Sequence, residues 1–121
     1  MKRRNEEHRI QAGIVRWSRL MEKRYPYLKL LHAIPNGCNR DAATGAAMKR
    51  EGVLAGIPDL HLPVASGTVH SLYIEVKAPL GRLSKAQKAM RDELQVWGNR
   101  VEVVRSTQEG IEVIRDYLGL R

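Results

Sequence analysis

The sequence has 121 residues, a single cysteine (Cys38), no phenylalanine, and two tryptophans (Trp17 and Trp97) beside four tyrosines. One cysteine excludes an intrachain disulfide and a cysteine-rich zinc site, and it points to an intracellular setting. So few aromatic rings argue against stacking platforms of the single-strand-binding type. No apolar run approaches the length needed to cross a membrane. The basic start, MKRRNEEHR, leads into a charged amphipathic stretch, so no signal peptide is expected. Acidic residues are the minority: 13 Asp and Glu stand against 21 Lys and Arg, for a formal net charge of +8. That balance favours a polyanionic partner, most simply nucleic acid. An acidic lipid surface or a ribosomal setting would use the same charge.

Hydrophobic residues make up 43% of the chain, which is ordinary for a globular protein. The length suits one domain, 1–121, with a modest core. Residues 5–24 read as a helix, with Ile10, Ile14, Trp17 and Met21 at helical spacing. Arg9, Arg16, Arg19, Lys23 and Arg24 lie largely off that stripe, as a solvated face or a nucleic-acid contact. Tyr25-Pro26 breaks the helix. Leu28 to Ile34 is a near-continuous apolar run, expected as a strand buried on both faces with His32 as a hydrogen-bonded core histidine. Asp41 is a plausible N-cap for a helix to about Glu51.

Ser84 to Trp97 reads as a further helix with Ala86, Met90, Leu94 and Trp97 at core spacing. Arg100 to Val104 reads as a strand. Ser106 to Leu118 reads as a last helix, opened by a Ser106-x-x-Glu109 capping box. A strand–helix–strand unit over 70–104 requires the last strand to run parallel to 70–77.

The chain is organised around 56–77, GIPDLHLPVASGTVHSLYIEVK. Leu60, Leu62 and Val64 share one face of a first strand, and Leu72, Ile74 and Val76 share one face of a second. Ala65-Ser66-Gly67-Thr68 is turn chemistry. A ribbon centred on Gly67 sets position 59 opposite position 75. The face away from the core then carries Asp59 beside Glu75, with Lys77 two residues on and His61 and Tyr73 alongside. Two carboxylates on one face repel, and a fold tolerates them more readily around a divalent cation. Hard oxygen ligands suit Mg²⁺ or Mn²⁺. The bland reading is a cross-strand ion-pair cluster served by Lys77.

Ile57-Pro58-Asp59 followed by Glu75-Val76-Lys77 resembles the PD-(D/E)xK nuclease signature. Together with Asn36-Gly37, Gly56 and Ser84-Lys85-Ala86-Gln87, these words resemble the VRR-NUC family, in its short stand-alone members of viral and bacterial type. The resemblance spans nearly the whole chain. It implies an α/β fold with a PD-(D/E)xK restriction-endonuclease-like core: a mixed four-stranded sheet flanked by helices. It also implies a metal-dependent DNA endonuclease, acting on branched, flapped or four-way junction DNA as a homodimer, in the cytoplasm of a bacterium or a phage-infected host cell.

On this resemblance Asp59, Glu75 and the carbonyl of Val76 hold Mg²⁺ (or Mn²⁺), and Lys77 orients water or stabilises charge on phosphorus. A glutamate on the first helix helps complete the metal site. Glu7 is favoured because it shares a face with Gln11, and Glu6 is the rival. As plain helix-start chemistry, either would simply complement the macrodipole. Gln87 becomes a site residue, although Ser84-x-x-Gln87 is also a capping box, and one side chain can hardly do both well. Asn36-Gly37 is either a turn or a pair of donors to phosphate. Lys49, Arg50, Arg82, Lys85 and Lys88 would face the DNA backbone. His61 could be a ligand or proton carrier, but a supporting role is favoured, and Tyr73 is expected beneath the first helix. The alternative is a catalytically inactive DNA-binding protein of the same fold.

Overall fold

The computed structural model describes residues 2–35 and 42–120. In chain order it contains α1 (Lys2–Met21), a 3-10 turn (Pro26–Leu30), β1 (His32–Ala33), α2 (Ala42–Arg50), β2 (Leu60–Leu62), β3 (Leu72–Val76), α3 (Lys85–Val96), β4 (Arg100–Val104) and α4 (Thr107–Leu118). The sheet order is β1-β2-β3-β4, with the first two pairings antiparallel and the β3–β4 pairing parallel. The result is a mixed four-stranded sheet flanked by four helices. Among the described residues, no helix is long and apolar enough to cross a membrane.

Alternation in the strands divides the sheet into two faces. Leu60, Leu62, Leu72, Ile74, Val76 and Val104 bury one face against Ile14 of α1 and Ile114 and Tyr117 of α4. Each fully buried aliphatic side chain contributes about 1.5–3 kcal/mol of transfer free energy, so this layer dominates stability. α1 and α4 approach closely because Gly110 leaves room for Ile14, where an added methyl group would collide. The hairpin is pinned to α4 by two bonds. The Tyr117 hydroxyl donates to the Val64 carbonyl at 2.6 Å, and Ser66 Oγ donates to the Tyr117 carbonyl at 2.5 Å.

The apolar run 28–34 departs from its expected strand. Its first part is the 3-10 turn, with Pro26 at the start, and the strand is reduced to His32–Ala33. Leu28 and Leu31 are fully buried while the residues between them are exposed. That three-residue period belongs to a 3-10 turn, not to a strand. α1 enforces the geometry. Ser18 Oγ donates to the Leu28 carbonyl at 2.8 Å, and Arg19 donates to the Leu31 carbonyl at 2.7 Å. Arg19 is therefore a structural clasp, not a free basic residue.

His32 is exposed on the edge strand, with Nδ1 2.9 Å from the Leu30 carbonyl, so it is not a core histidine. α3 also differs from expectation. It packs on β4, yet Ala86 is exposed, Met90 and Leu94 are half-buried, and Trp97 is 71% exposed. This helix is a thin cover whose C-terminal end, Val96 and Trp97, is largely exposed. The expected N-cap Asp41 lies outside the described residues.

Candidate active site

The β2–β3 ladder pairs Leu60 with Ile74, His61 with Tyr73 and Leu62 with Leu72. One step further, the same register sets Asp59 against Glu75, as the Gly67-centred ribbon requires. Asp59 Oδ2 accepts the Val76 N–H at 2.8 Å, and the Asp59 carbonyl accepts the Ile34 N–H at 2.8 Å. Glu75 is 4% exposed. Its Oε2 lies 3.7 Å from Lys77 Nζ and accepts from Gln87 Nε2 at 3.1 Å. Its Oε1 is the one buried side-chain polar atom without a hydrogen-bond partner among the described residues.

The electrostatics follow from that burial. Glu75 is pushed up to about 9, first by desolvation and then by the charge of Asp59 beside it. Asp59 is also raised, because burial outweighs the Val76 N–H bond that lowers it. Both carboxyls therefore resist ionising where they sit. Lys77 favours their charged forms but does not overcome desolvation.

α3 supplies Gln87 through its N-cap. Ser84 Oγ accepts the Gln87 N–H at 3.1 Å, and Gln87 Oε1 accepts the Ser84 N–H at 2.8 Å. The amide divides its work: Oε1 caps the helix and Nε2 reaches Glu75. The two expected roles of Gln87 are thus compatible, because the amide has an acceptor end and a donor end. Gly56 explains the first letter of its motif. It sits at φ +81°, and a side chain there would run into the backbone of Ala86 and Gln87 in the first turn of α3.

α1 brings Glu7 to the same place. Its first turn holds no acidic residue, so Glu6 and Glu7 fall too late to serve as helix-start charges. Glu7 Oε2 accepts the Ala78 N–H at 3.1 Å, just beyond β3. Glu7 lines the cleft that holds Asp59, Glu75, Lys77 and Gln87, and Glu6 is absent from that lining. The cleft encloses about 800 Å³. Its α1 wall also presents Arg4, His8 and Gln11, and its α2 wall presents Met48 and Lys49.

Arg4 and His8 were not singled out by the sequence reading. The signal was present: positions 4, 7, 8 and 11 share one helix face. Arg50, Arg82, Lys85 and Lys88 are exposed but do not line the cleft. Asn36 and Gly37 lie outside the described residues.

His61 is held by its neighbours. Its Nε2 lies 3.0 Å from Ser71 Oγ, which itself donates to Asn99 Oδ1 at 2.6 Å. Ser71 has thereby spent its proton, so His61 Nε2 is the donor in the first of these bonds. The ring stacks on Tyr73 with centroids 4.1 Å apart. Tyr73 lies on the sheet face opposite the one that α1 buries, so it is not beneath the first helix.

The chemistry of these donors fits a hard divalent cation. Two close, partly desolvated carboxylates and an orphaned oxygen on Glu75 gain most from a positive charge between them. Among the described residues, no group of three or more His, Cys, Asp and Glu side chains is placed to hold a metal. Two carboxylates suit Mg²⁺, which keeps several waters and does not require an all-protein cage.

The sheet, its helices and the Asp59–Glu75 acid pair define an α/β nuclease-like core. A solved structure described as a VRR-NUC domain protein superposes with a TM-score of 0.80 and 29% identity, over 95% of this chain and 89% of that one. The sequence matches the profile of the VRR-NUC domain over residues 1–108. The chain belongs to the VRR-NUC family, and its domain is a nuclease domain. No curated protein matches it.

Proposed function

We propose that this chain is a Mg²⁺- or Mn²⁺-dependent endonuclease that hydrolyses phosphodiester bonds in DNA. The observation that carries the reading is the half-buried Asp59 paired with the buried Glu75, with Lys77 Nζ 3.7 Å from Glu75 and one Glu75 oxygen left without a partner. Asp59, Glu75 and the Val76 carbonyl are the groups to hold the cation. When bound, the cation supplies charge neutralisation at the phosphoryl oxygens and lowers the pKa of a water.

The remaining work falls to the chain. Lys77 brings a fixed positive charge to the phosphoryl group, where negative charge grows in the transition state. Gln87 orients Glu75 by donating to Oε2, and Glu7 secures the backbone that follows Lys77. Arg4, His8 and Lys49 line the walls at positions suited to flanking phosphates.

Phosphate contacts carry little sequence information, so the selection is of DNA shape. Family resemblance directs it to branched, flapped or four-way junction DNA. The two-fold symmetry of a junction calls for two active sites, hence a homodimer. The test is cleavage of labelled linear duplex, flap and four-way junction DNA with Mg²⁺ or Mn²⁺. The proposal expects cutting of a branched form, lost in Asp59→Ala and Lys77→Ala. Salt-sensitive binding with no cutting under any metal would instead indicate a DNA-binding protein that has lost catalysis.

A further inference from the structure

The loop between β3 and α3 carries both ends of the site, with Glu75 and Lys77 before it and Gln87 after it. Its first part is a turn, Ala78-Pro79-Leu80-Gly81, closed by Gly81 N–H donating to the Ala78 carbonyl at 2.9 Å. One side chain from the far end of β4 enters this turn. Arg105 Nη1 donates to the carbonyls of Gly81 at 2.7 Å and Ala78 at 2.9 Å, with that of Pro79 at 3.4 Å. Arg105 is fixed in turn, because its own N–H donates to Glu109 Oε1 at 2.6 Å at the start of α4.

Ala78 is therefore gripped from two sides. Its N–H is held by Glu7 of α1, and its carbonyl by Arg105. Ala78 is buried, so neither group has water as a ready substitute. The preceding residue is fixed as well, through Lys77 N–H donating to the Val104 carbonyl at 2.9 Å, one residue before Arg105.

We infer that Arg105 is a positioning residue of this nuclease: it holds the 78–81 turn so that Lys77 and Gln87 stand together on Glu75. All of these contacts come from the terminal nitrogen Nη1, and the shorter, flexible stem of a lysine does not carry its ammonium to the same point. No residue of the turn needs to touch DNA for this role. Release of the turn would shift Lys77 and Gln87 by small distances. A displacement near 1 Å in a catalytic group costs roughly 10²-fold in rate.

The inference rests on the nuclease reading, and its test separates the two. Arg105→Gln and Arg105→Lys are compared with wild type for kcat and KM on the DNA that wild type cuts, with thermal unfolding as the check on folding. The expected result is a fall in kcat of about 10–10²-fold with KM changed less than about twofold, since substrate contacts are untouched. Arg105→Lys should keep the fold and still lose rate, so it carries the test if Arg105→Gln does not fold. Arg100→Gln, whose ion pairs go to Glu102 and Asp116 away from the cleft, should keep wild-type kcat.

A cycle with Glu7→Ala, which removes the acceptor for the Ala78 N–H, adds a reading that general destabilisation would not give. Because both side chains hold Ala78, the double variant should lose much less than the product of the single losses. Wild-type protein that cuts nothing overturns the nuclease reading. Wild-type cutting matched by both Arg105 variants, a loss confined to KM, or strictly multiplicative losses with Glu7→Ala overturns the role of Arg105 alone.

Discussion

Gln87 and Glu75 are joined by a 3.1 Å hydrogen bond whose donor belongs to the same amide that caps α3. The start of a helix is thus tied to the acid pair, and helix capping and site geometry are one arrangement. Gln87→Glu separates the two functions. A glutamate retains the acceptor that caps Ser84 N–H but replaces the donor toward Glu75 with a like charge. The expected outcome is near-normal folding with cleavage reduced about tenfold or more, whereas Gln87→Ala also loses about 1 kcal/mol of capping energy. Thermal unfolding beside single-turnover rates checks this. Wild-type cleavage by Gln87→Glu would reduce Gln87 to a cap.

The raised Glu75 carboxyl has a definite consequence for stability without a cation. Its folded value is about 9 against 4.5 for an ordinary glutamate. Below the ordinary value both states are protonated and the carboxyl adds no penalty. As pH rises between the two values, the unfolded chain releases its proton while the fold retains it, so stability falls throughout that window. In chelator the melting temperature should drop from about pH 5.5 to about pH 8.5, and Glu75→Gln should flatten the drop. Mg²⁺ should restore stability chiefly at the alkaline end. A melting temperature independent of pH in chelator would contradict the burial of Glu75 beside Asp59.

Gly56 should tolerate no side chain. Alanine there would take a positive φ and press on the first turn of α3. The expected loss is about 1–3 kcal/mol of stability, with cleavage falling further because Gln87 rides on that turn. Gly45 has open space around it. Gly45→Ala on α2 should instead stabilise by about 0.5–1 kcal/mol. Denaturant melts of the two variants give the comparison, and equal effects would be inconsistent with the close approach at Gly56.

His8 and Arg4 should act on substrate and not on chemistry. His8→Ala and Arg4→Ala are expected to raise KM several-fold at moderate salt with kcat nearly unchanged, and to lower the salt dependence of binding. Titration of binding against salt concentration reads this directly. A kcat loss with unchanged KM would move these residues into the reaction itself.

The register of the acid pair was legible because it depends on local facts: alternation at 60–64 and 72–76, and one glycine-bearing turn. The crossover to a parallel β4 followed from connection rules. What the residues 28–34 would do was not legible. An apolar run does not distinguish a strand from a 3-10 turn, and the carbonyls that decide the matter are captured by Ser18 and Arg19, about ten residues away. Trp97 occupies a core-spaced position yet is 71% exposed, because spacing marks a face of α3 but not how far that face is covered. Arg105 gave no signal at all. Its partners are backbone carbonyls more than twenty residues away in sequence, and nothing in their residue types announces them.

The claim on which the account turns is that Asp59 and Glu75 together receive one divalent cation. The most direct measurement is anomalous diffraction from a crystal soaked in Mn²⁺. The account predicts a single peak between the two side chains, within roughly 2–2.3 Å of an oxygen from each, and its disappearance in Asp59→Asn. A peak bound elsewhere, or an empty gap between the two carboxylates at saturating Mn²⁺, would contradict it.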